Sequence, residues 1–158
     1  MRNGNELLVA AGASAGGHMT ELLTLLAHGN RWVVQPSVYI TTTEQLVTRL
    51  REMGQVEVLG ECNRTNVLDV IRVVFRALTL AAKHRPDVLI TTGSLPLAIL
   101  GFWVKVFGGK LIWIDSIANS RTFSMSGSYA YRYADLFITQ WPELAKTYQR
   151  AQYFGQLI

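Results

Sequence analysis

GASAGGHMTELLTLL, from Gly12 to Leu26, is a glycine-rich turn set between a short apolar run, Leu7 to Ala11, and an amphipathic helix carrying Met19, Leu22, Leu23, Leu25 and Leu26. Apolar strand, glycine turn and helix in this order define a Rossmann-like first unit. A turn of this kind leaves backbone N–H groups bare at a helix N-terminus, where their partial positive charge favours a phosphate or diphosphate. An anionic ligand is therefore the first functional expectation.

Three sharper motifs are weighed against these residues. A P-loop needs a lysine after its second glycine, but Gly17 is followed by His18 and Met19, so a nucleotide triphosphatase is excluded. The dinucleotide fingerprint needs glycine where the chain has Ser14, although Glu44 after the second strand imitates its ribose-binding acid. A nucleotide-binding Rossmann protein stays open as an alternative on that ground. Gly12 to Gly16 fits the Gly-x-Ser-x-Gly nucleophile elbow, so a stand-alone hydrolase using Ser14 is a second alternative, weakened because the elbow follows the first strand. The plainest alternative is that the glycines only make a tight turn and His18 is a solvated first-turn residue.

Composition narrows the class. A length of 158 residues is that of one domain, 1–158, with a good core, and 49% hydrophobic against 16% charged residues is apolar for a soluble protein. The longest strongly apolar stretch, Leu95 to Phe107, is too short for a bilayer and carries Lys105, and no signal-peptide layout is evident, so neither a membrane-spanning anchor nor export is expected. The lone Cys62 excludes an internal disulfide and a cysteine-based metal cluster; no metal and no cofactor is expected. From Arg64 to Arg121 eight Lys or Arg outnumber three Asp, in the same third that holds the most apolar sequence. Basic plus apolar points to an anionic membrane surface, and no nucleic-acid-binding motif is present.

Periodicity predicts strands near 6–11 and at 37–42, 56–60, 87–92, 110–115, 136–140 and 153–155, alternating with helices at 19–28, 44–53, 66–84, 96–107, 128–134 and 142–149. Repeated crossovers imply a parallel sheet covered by helices on both faces, with ligands beyond the strand carboxyl ends. Small and hydroxyl-bearing residues gather at those ends: GASAGGH, TTGSLP (Thr91 to Pro96), DSIANSRTFSMSGS (Asp115 to Ser128) and QWPE (Gln140 to Glu143). Ordinary capping turns account for single serines, but less well for the fourteen-residue loop.

In the helix from Asn66 to His84, Asp69, Arg72, Arg76, Thr79 and Lys83 form one largely basic stripe, and the rest is apolar over a wide arc. The expected reading is a surface lying on lipid, against a deeply buried helix with one solvated stripe. Arg72 and Arg76 with Phe102 and Trp103 are the membrane-binding candidates; Trp103 and Trp113 suit either a bilayer interface or the core.

ASAGGHMTELLTL, RPDVLITTGSLPLAILG, IWIDSIANSRTFS, YRYADLFITQWPEL and YFGQL together resemble the membrane-associated subunit of the two-part UDP-GlcNAc transferase of lipid-linked oligosaccharide synthesis, and its bacterial exopolysaccharide counterparts of the PssD type. The resemblance covers essentially the whole chain, and the chain is more distantly similar to the N-terminal half of MurG, a glycosyltransferase of GT-B fold. It implies an α/β Rossmann-like domain equivalent to the N-terminal half of a GT-B enzyme. Such a domain faces the cytoplasmic side of a membrane and a polyprenyl-diphosphate-sugar acceptor, while a separate small donor-binding glycosyltransferase subunit binds the UDP-sugar. Gly16, Gly17 and His18 match the family's GGH turn, with His18 the catalytic candidate, and Gly93, Ser94 and Pro96 match its second loop. Ser116, Asn119, Arg121, Trp141 and Glu143 lie in matching motifs. Asp115 stands where a glutamate is expected, and the membrane helix of eukaryotic members is absent, implying peripheral attachment.

The implied reaction inverts at the anomeric carbon between two domains without an obligatory metal, the donor domain stabilising the UDP leaving group. An imidazole titrates near neutral pH, so His18 either donates to the diphosphate as a cation or acts as general base on the acceptor hydroxyl. Residues Gln156 to Ile158 after the last strand are expected either to dock the partner or to tuck into the domain's own sheet.

Overall fold

The computed structural model describes residues 7–29, 32–62 and 65–157. Arg64, Ile158 and the first residue of the strand expected near 6–11 lie outside them. The elements are β1 (Val9–Ala13), α1 (Gly17–Ala27), β2 (Val38–Thr41), α2 (Val47–Arg51) after a single 3₁₀ turn, β3 (Gln55–Val58), α3 (Val67–His84) and β4 (Val88–Thr91). They continue with α4 (Leu95–Val106), β5 (Lys110–Ile114), α5 (Met125–Ala130), β6 (Leu136–Thr139), α6 (Pro142–Thr147) and β7 (Ala151–Tyr153). Seven strands form one sheet in the order β3-β2-β1-β4-β5-β6-β7, and every pairing is parallel.

That order reverses direction between β1 and β4, the switch point at which a doubly wound sheet opens a crevice beyond its strand carboxyl ends. β1 is buried along its whole length and β2 likewise, as the apolar runs of a two-faced parallel sheet should be. Gly12 is required there: a Cβ would lie 2.7 Å from Leu97 Cδ1 and 3.0 Å from Ile40 Cβ, so its absence lets α4 close on the sheet. Leu89, Leu97, Leu100, Leu111, Trp113 and Phe137 are almost completely buried in the main core. Trp113, 0% exposed, is thereby a core residue and not an interfacial anchor.

Several boundaries differ from the periodic reading, α1 beginning at Gly17, β3 ending at Val58 and α6 at Thr147, and two near the end of the chain bear on the site. The helix expected at 128–134 begins at Met125, because the Ser124 hydroxyl accepts from Gly127 N–H at 2.8 Å and caps the helix three residues earlier. The last strand is Ala151–Tyr153, two residues before the expected one. Beyond it, Leu157 N–H donates to Gln140 Oε1 at 2.8 Å, so this segment folds back over the end of β6. α3 starts where Asn66 caps Leu68 N–H and ends at Arg85 in the left-handed region, φ 45°.

Candidate functional site

The glycine turn delivers what its composition promised. Gly16, at φ 82°, is the N-cap of α1; no side chain caps that helix, its first turn holds no acid, and a Cβ on Gly16 or Gly17 would meet nothing within 4 Å. The N-terminus of α1 is thus uncovered and faces open space. Across the switch point, α4 also starts without a side-chain cap, after Gly93 at φ 127° and Ser94 at φ 93°. Two helix N-termini with unsatisfied N–H groups converge beside one histidine.

His18 is fixed from several directions. Its carbonyl accepts from Thr92 Oγ1 at 2.6 Å, joining the first turn of α1 to the end of β4. A Cβ on Gly93 would lie 2.8 Å from His18 Cε1, so this glycine makes room for the ring. Nδ1 is buried without a hydrogen-bond partner, 3.9 Å from Glu21 Oε2, while the side chain as a whole is 29% exposed. The open edge is therefore the one carrying Nε2.

Glu21, only 1% exposed, ties three carboxyl-end loops together. Its Oε1 accepts from Ser116 Oγ at 3.0 Å, Ile117 N–H at 2.9 Å and Gln140 Nε2 at 3.3 Å. Burial pushes its carboxyl up, but the nearby His18 ring and the hydrogen bonds from Ile117 and Ser116 outweigh this and hold it below the ordinary carboxylate range. Asp115 behaves oppositely: burial dominates and raises it, despite bonds from Ser124 and the Trp113 indole. With both oxygens engaged in holding the start of α5, Asp115 is a structural clamp.

The remaining candidates are distributed around this centre. The Ser116 hydroxyl is engaged with Glu21, and Asn119 N–H donates to the Ser116 carbonyl. Arg121 is exposed on the same loop. The indole of Trp141 donates to the Ile117 carbonyl at 2.7 Å, and Glu143 is exposed in the first turn of α6. A cavity of about 340 Å³ opens between Ser14, Thr42, Glu61, Cys62, Ser94 and Pro96; the Thr42 and Ser94 hydroxyls are buried without partners. No cluster of His, Cys, Asp or Glu suited to a metal occurs among the described residues.

Next to it, α3, α4 and α5 enclose an apolar groove of about 560 Å³ lined by Val70, Val74, Ile99, Phe102, Trp103, Met125, Tyr129 and Tyr133. Leu95 lines both the groove and the smaller cavity, so the two are contiguous. The wide apolar arc of α3 divides: Val73, Ala77, Leu80 and Ala81 enter the core, whereas Val67, Leu68, Ile71 and Phe75 stay exposed with Phe102 and Val106 of α4. Arg72 is exposed, 3.7 Å from Asp69, and Arg76 is exposed on the same helix. Trp103 is half-buried and Phe102 stacks edge-on against it. Among the described residues no helix is long and apolar enough to cross a membrane.

Sequence reading missed Glu21, Thr42 and Gln140 as members of the site. Glu21 had one available signal, its place one helical turn beyond His18.

A parallel sheet with its crevice at the β1/β4 switch point, helix N-termini converging there, and an apolar groove alongside define a doubly wound, Rossmann-like α/β domain. The chain matches the family described as "Oligosaccharide biosynthesis protein Alg14 like" over residues 43–157, and belongs to it. It is 27% identical over 172 residues to the UDP-N-acetylglucosamine transferase subunit ALG14 of Eremothecium gossypii, covering 91% of this chain and 77% of that one. Against the human subunit of the same name identity is 24% over 185 residues, covering 99% and 85%. The crystal structure of Acinetobacter baumannii MurG superposes with a TM-score of 0.67 at 14% identity, over 85% of this chain and 42% of MurG, a likeness of fold.

Proposed function

We propose that this chain is the acceptor-side subunit of a UDP-sugar transferase, with UDP-GlcNAc the expected donor, acting at a membrane surface together with a small donor-binding subunit. The observation that carries the reading is the contiguity of two environments: uncapped helix N-termini around His18, and an apolar groove that meets them at Leu95. A polyprenyl-diphosphate sugar has both chemistries in one molecule. Its diphosphate suits the bare N–H groups of Gly16, Gly17 and Ser94, and its isoprenoid chain suits the groove. Ser116, Asn119 and Arg121 lie on the loop that borders the same rim, and Arg121 supplies an exposed cation there. Names borne by relatives as transferase subunits support this assignment.

The exposed apolar residues of α3 and α4, flanked by Arg72 and Arg76, would rest on the cytoplasmic leaflet and attach the domain peripherally. The acceptor hydroxyl would then be held beside His18, and the partner would bring the sugar donor across the cleft. The test is transfer of labelled sugar from UDP-GlcNAc to a short-chain polyprenyl-diphosphate sugar, by the chain alone and by the chain with its partner. Transfer is expected only from the complex. Robust transfer by the chain alone would end the two-subunit account.

A further inference from the structure

We propose that Glu21 is a positioning residue for His18: its buried carboxylate accepts a proton-bearing Nδ1, fixes the tautomer, and leaves the Nε2 lone pair facing the crevice. The proposal deepens the transferase reading and rests on it for its functional consequence.

The geometry leaves each atom one companion. His18 Nδ1 and Glu21 Oε2 are both buried without a hydrogen-bond partner, and they face each other at 3.9 Å. An unpaired polar atom out of reach of solvent is costly, and more so for a carboxylate oxygen. An approach of about 1 Å would bring the pair within hydrogen-bond distance, and hydrogen bonds of this kind are commonly long before substrate binds. The carboxylate itself is held still, because Oε1 receives Ser116, Ile117 and Gln140 from two other loops while Oε2 is left toward the ring. Burial raises the Glu21 carboxyl, but those bonds and His18 outweigh it, so the group stays ionised and able to accept. The other charge acting on His18 is Asp115, whose two oxygens are committed to Trp113 and Ser124. Of these two carboxylates, Glu21 is therefore the one with an oxygen uncommitted and turned to the ring.

The arrangement chooses between the two roles left open for His18. With Nδ1–H bound to a carboxylate, Nε2 is left as the proton acceptor. In the transfer step Nε2 takes the proton of the acceptor hydroxyl, and that oxygen forms the new bond to the anomeric carbon. The bond from that carbon to the UDP oxygen breaks, and UDP leaves with the electron pair.

Two measurements test this. In the isolated chain with ¹⁵N-labelled histidine, neutral His18 is expected as the Nδ1–H tautomer, opposite to the Nε2–H preference of a free histidine side chain. Glu21→Gln should shift the tautomer ratio by about tenfold toward Nε2–H, since a charged acceptor is replaced by a neutral one. Ser116→Ala removes a hydrogen bond from the carboxylate without removing its charge, and should leave Nδ1–H dominant; it separates positioning from general loosening. In the complex with the partner, Glu21→Gln should lower kcat about tenfold or more while KM for UDP-GlcNAc is unchanged. Wild-type His18 in the Nε2–H form, or a Glu21→Gln protein with the same tautomer and kcat as wild type, would overturn the proposal. Should the tautomer respond as stated while His18→Ala transfers normally, the pairing stands and the transferase role of His18 falls.

Discussion

Gly93 and His18 are mutually dependent: a single methyl group on residue 93 would sit 2.8 Å from His18 Cε1 and 3.0 Å from Nδ1. Because Gly93 is also at φ 127°, alanine there is strained as well as crowded. Gly93→Ala is expected to cost about 1–3 kcal/mol in urea unfolding and to reduce transfer by the complex. Gly17→Ala, with open space around its Cβ and an ordinary backbone, should leave stability within about 0.5 kcal/mol. Equal losses from the two substitutions would argue that the turn is uniformly sensitive and that the ring is not what Gly93 accommodates.

His18→Ala should lower transfer by the complex at least about tenfold, since a positioned proton-transfer group typically contributes 10²-fold or more. Its circular dichroism and thermal unfolding should be close to wild type, because the ring lies at the crevice and outside the main core. Normal transfer would reduce the turn to a packing element.

Arg72→Glu with Arg76→Glu should weaken sedimentation with phosphatidylserine-containing vesicles. Each basic residue near such a surface contributes about 1 kcal/mol, screened within a Debye length, so raised salt should release the wild-type chain as well. Unchanged sedimentation of the double variant would show that these arginines only solvate α3.

Thr42, 4% exposed, keeps a buried hydroxyl without a partner at the cavity wall. Valine has nearly the same shape and no polar atom to desolvate. Thr42→Val is therefore expected to raise the unfolding free energy by about 1 kcal/mol, read from urea denaturation at fixed pH. A loss of stability instead would mean that the hydroxyl is paired in solution.

Asp135 supplies a pH-dependent contribution. Partial burial raises its carboxyl, but Lys105, Leu111 N–H and Lys110 outweigh that and hold it below its ordinary range. A depressed folded pKa means stabilisation that is present above the unfolded value of about 3.9 and lost as pH falls through the folded value. Asp135→Asn should cost about 1–2 kcal/mol at pH 7 and progressively less below pH 4. A penalty that does not change with pH would place the effect in hydrogen bonding alone.

The first unit of the fold was legible because its signals are local: an apolar run, glycines and a 3.6-residue period fall within twenty residues of one another. What escaped were relationships across long separations. Glu21 is an ordinary helix acid in the sequence until Ser116, Ile117 and Gln140 arrive from 95, 96 and 119 residues away. The start of α5 was misplaced because Asp115 reaches over nine residues to hold Ser124, which periodicity does not register. Trp113 was undecided between lipid and core, since an indole suits both until the sheet that covers it is closed. The glycine turn and His18 were visible as candidates, and the hydroxyls of Thr42 and Ser94 became notable only when the cavity between two βα turns appeared.

The strand order also sets a schedule for synthesis. β1 is an interior strand of the sheet, yet one of its two neighbours is β4, and the contact between Leu8 and Asp87 at their starts spans 79 residues. During translation β1 can pair with β2 early but must wait for β4 while α3 is still being made. Pairing over such separations is slow, and an apolar strand with one open edge is exposed to misassociation meanwhile. The nascent chain therefore passes through a stage in which a strand destined for complete burial is half-clothed, when chaperone binding or early contact with a membrane surface would have the greatest influence on its yield.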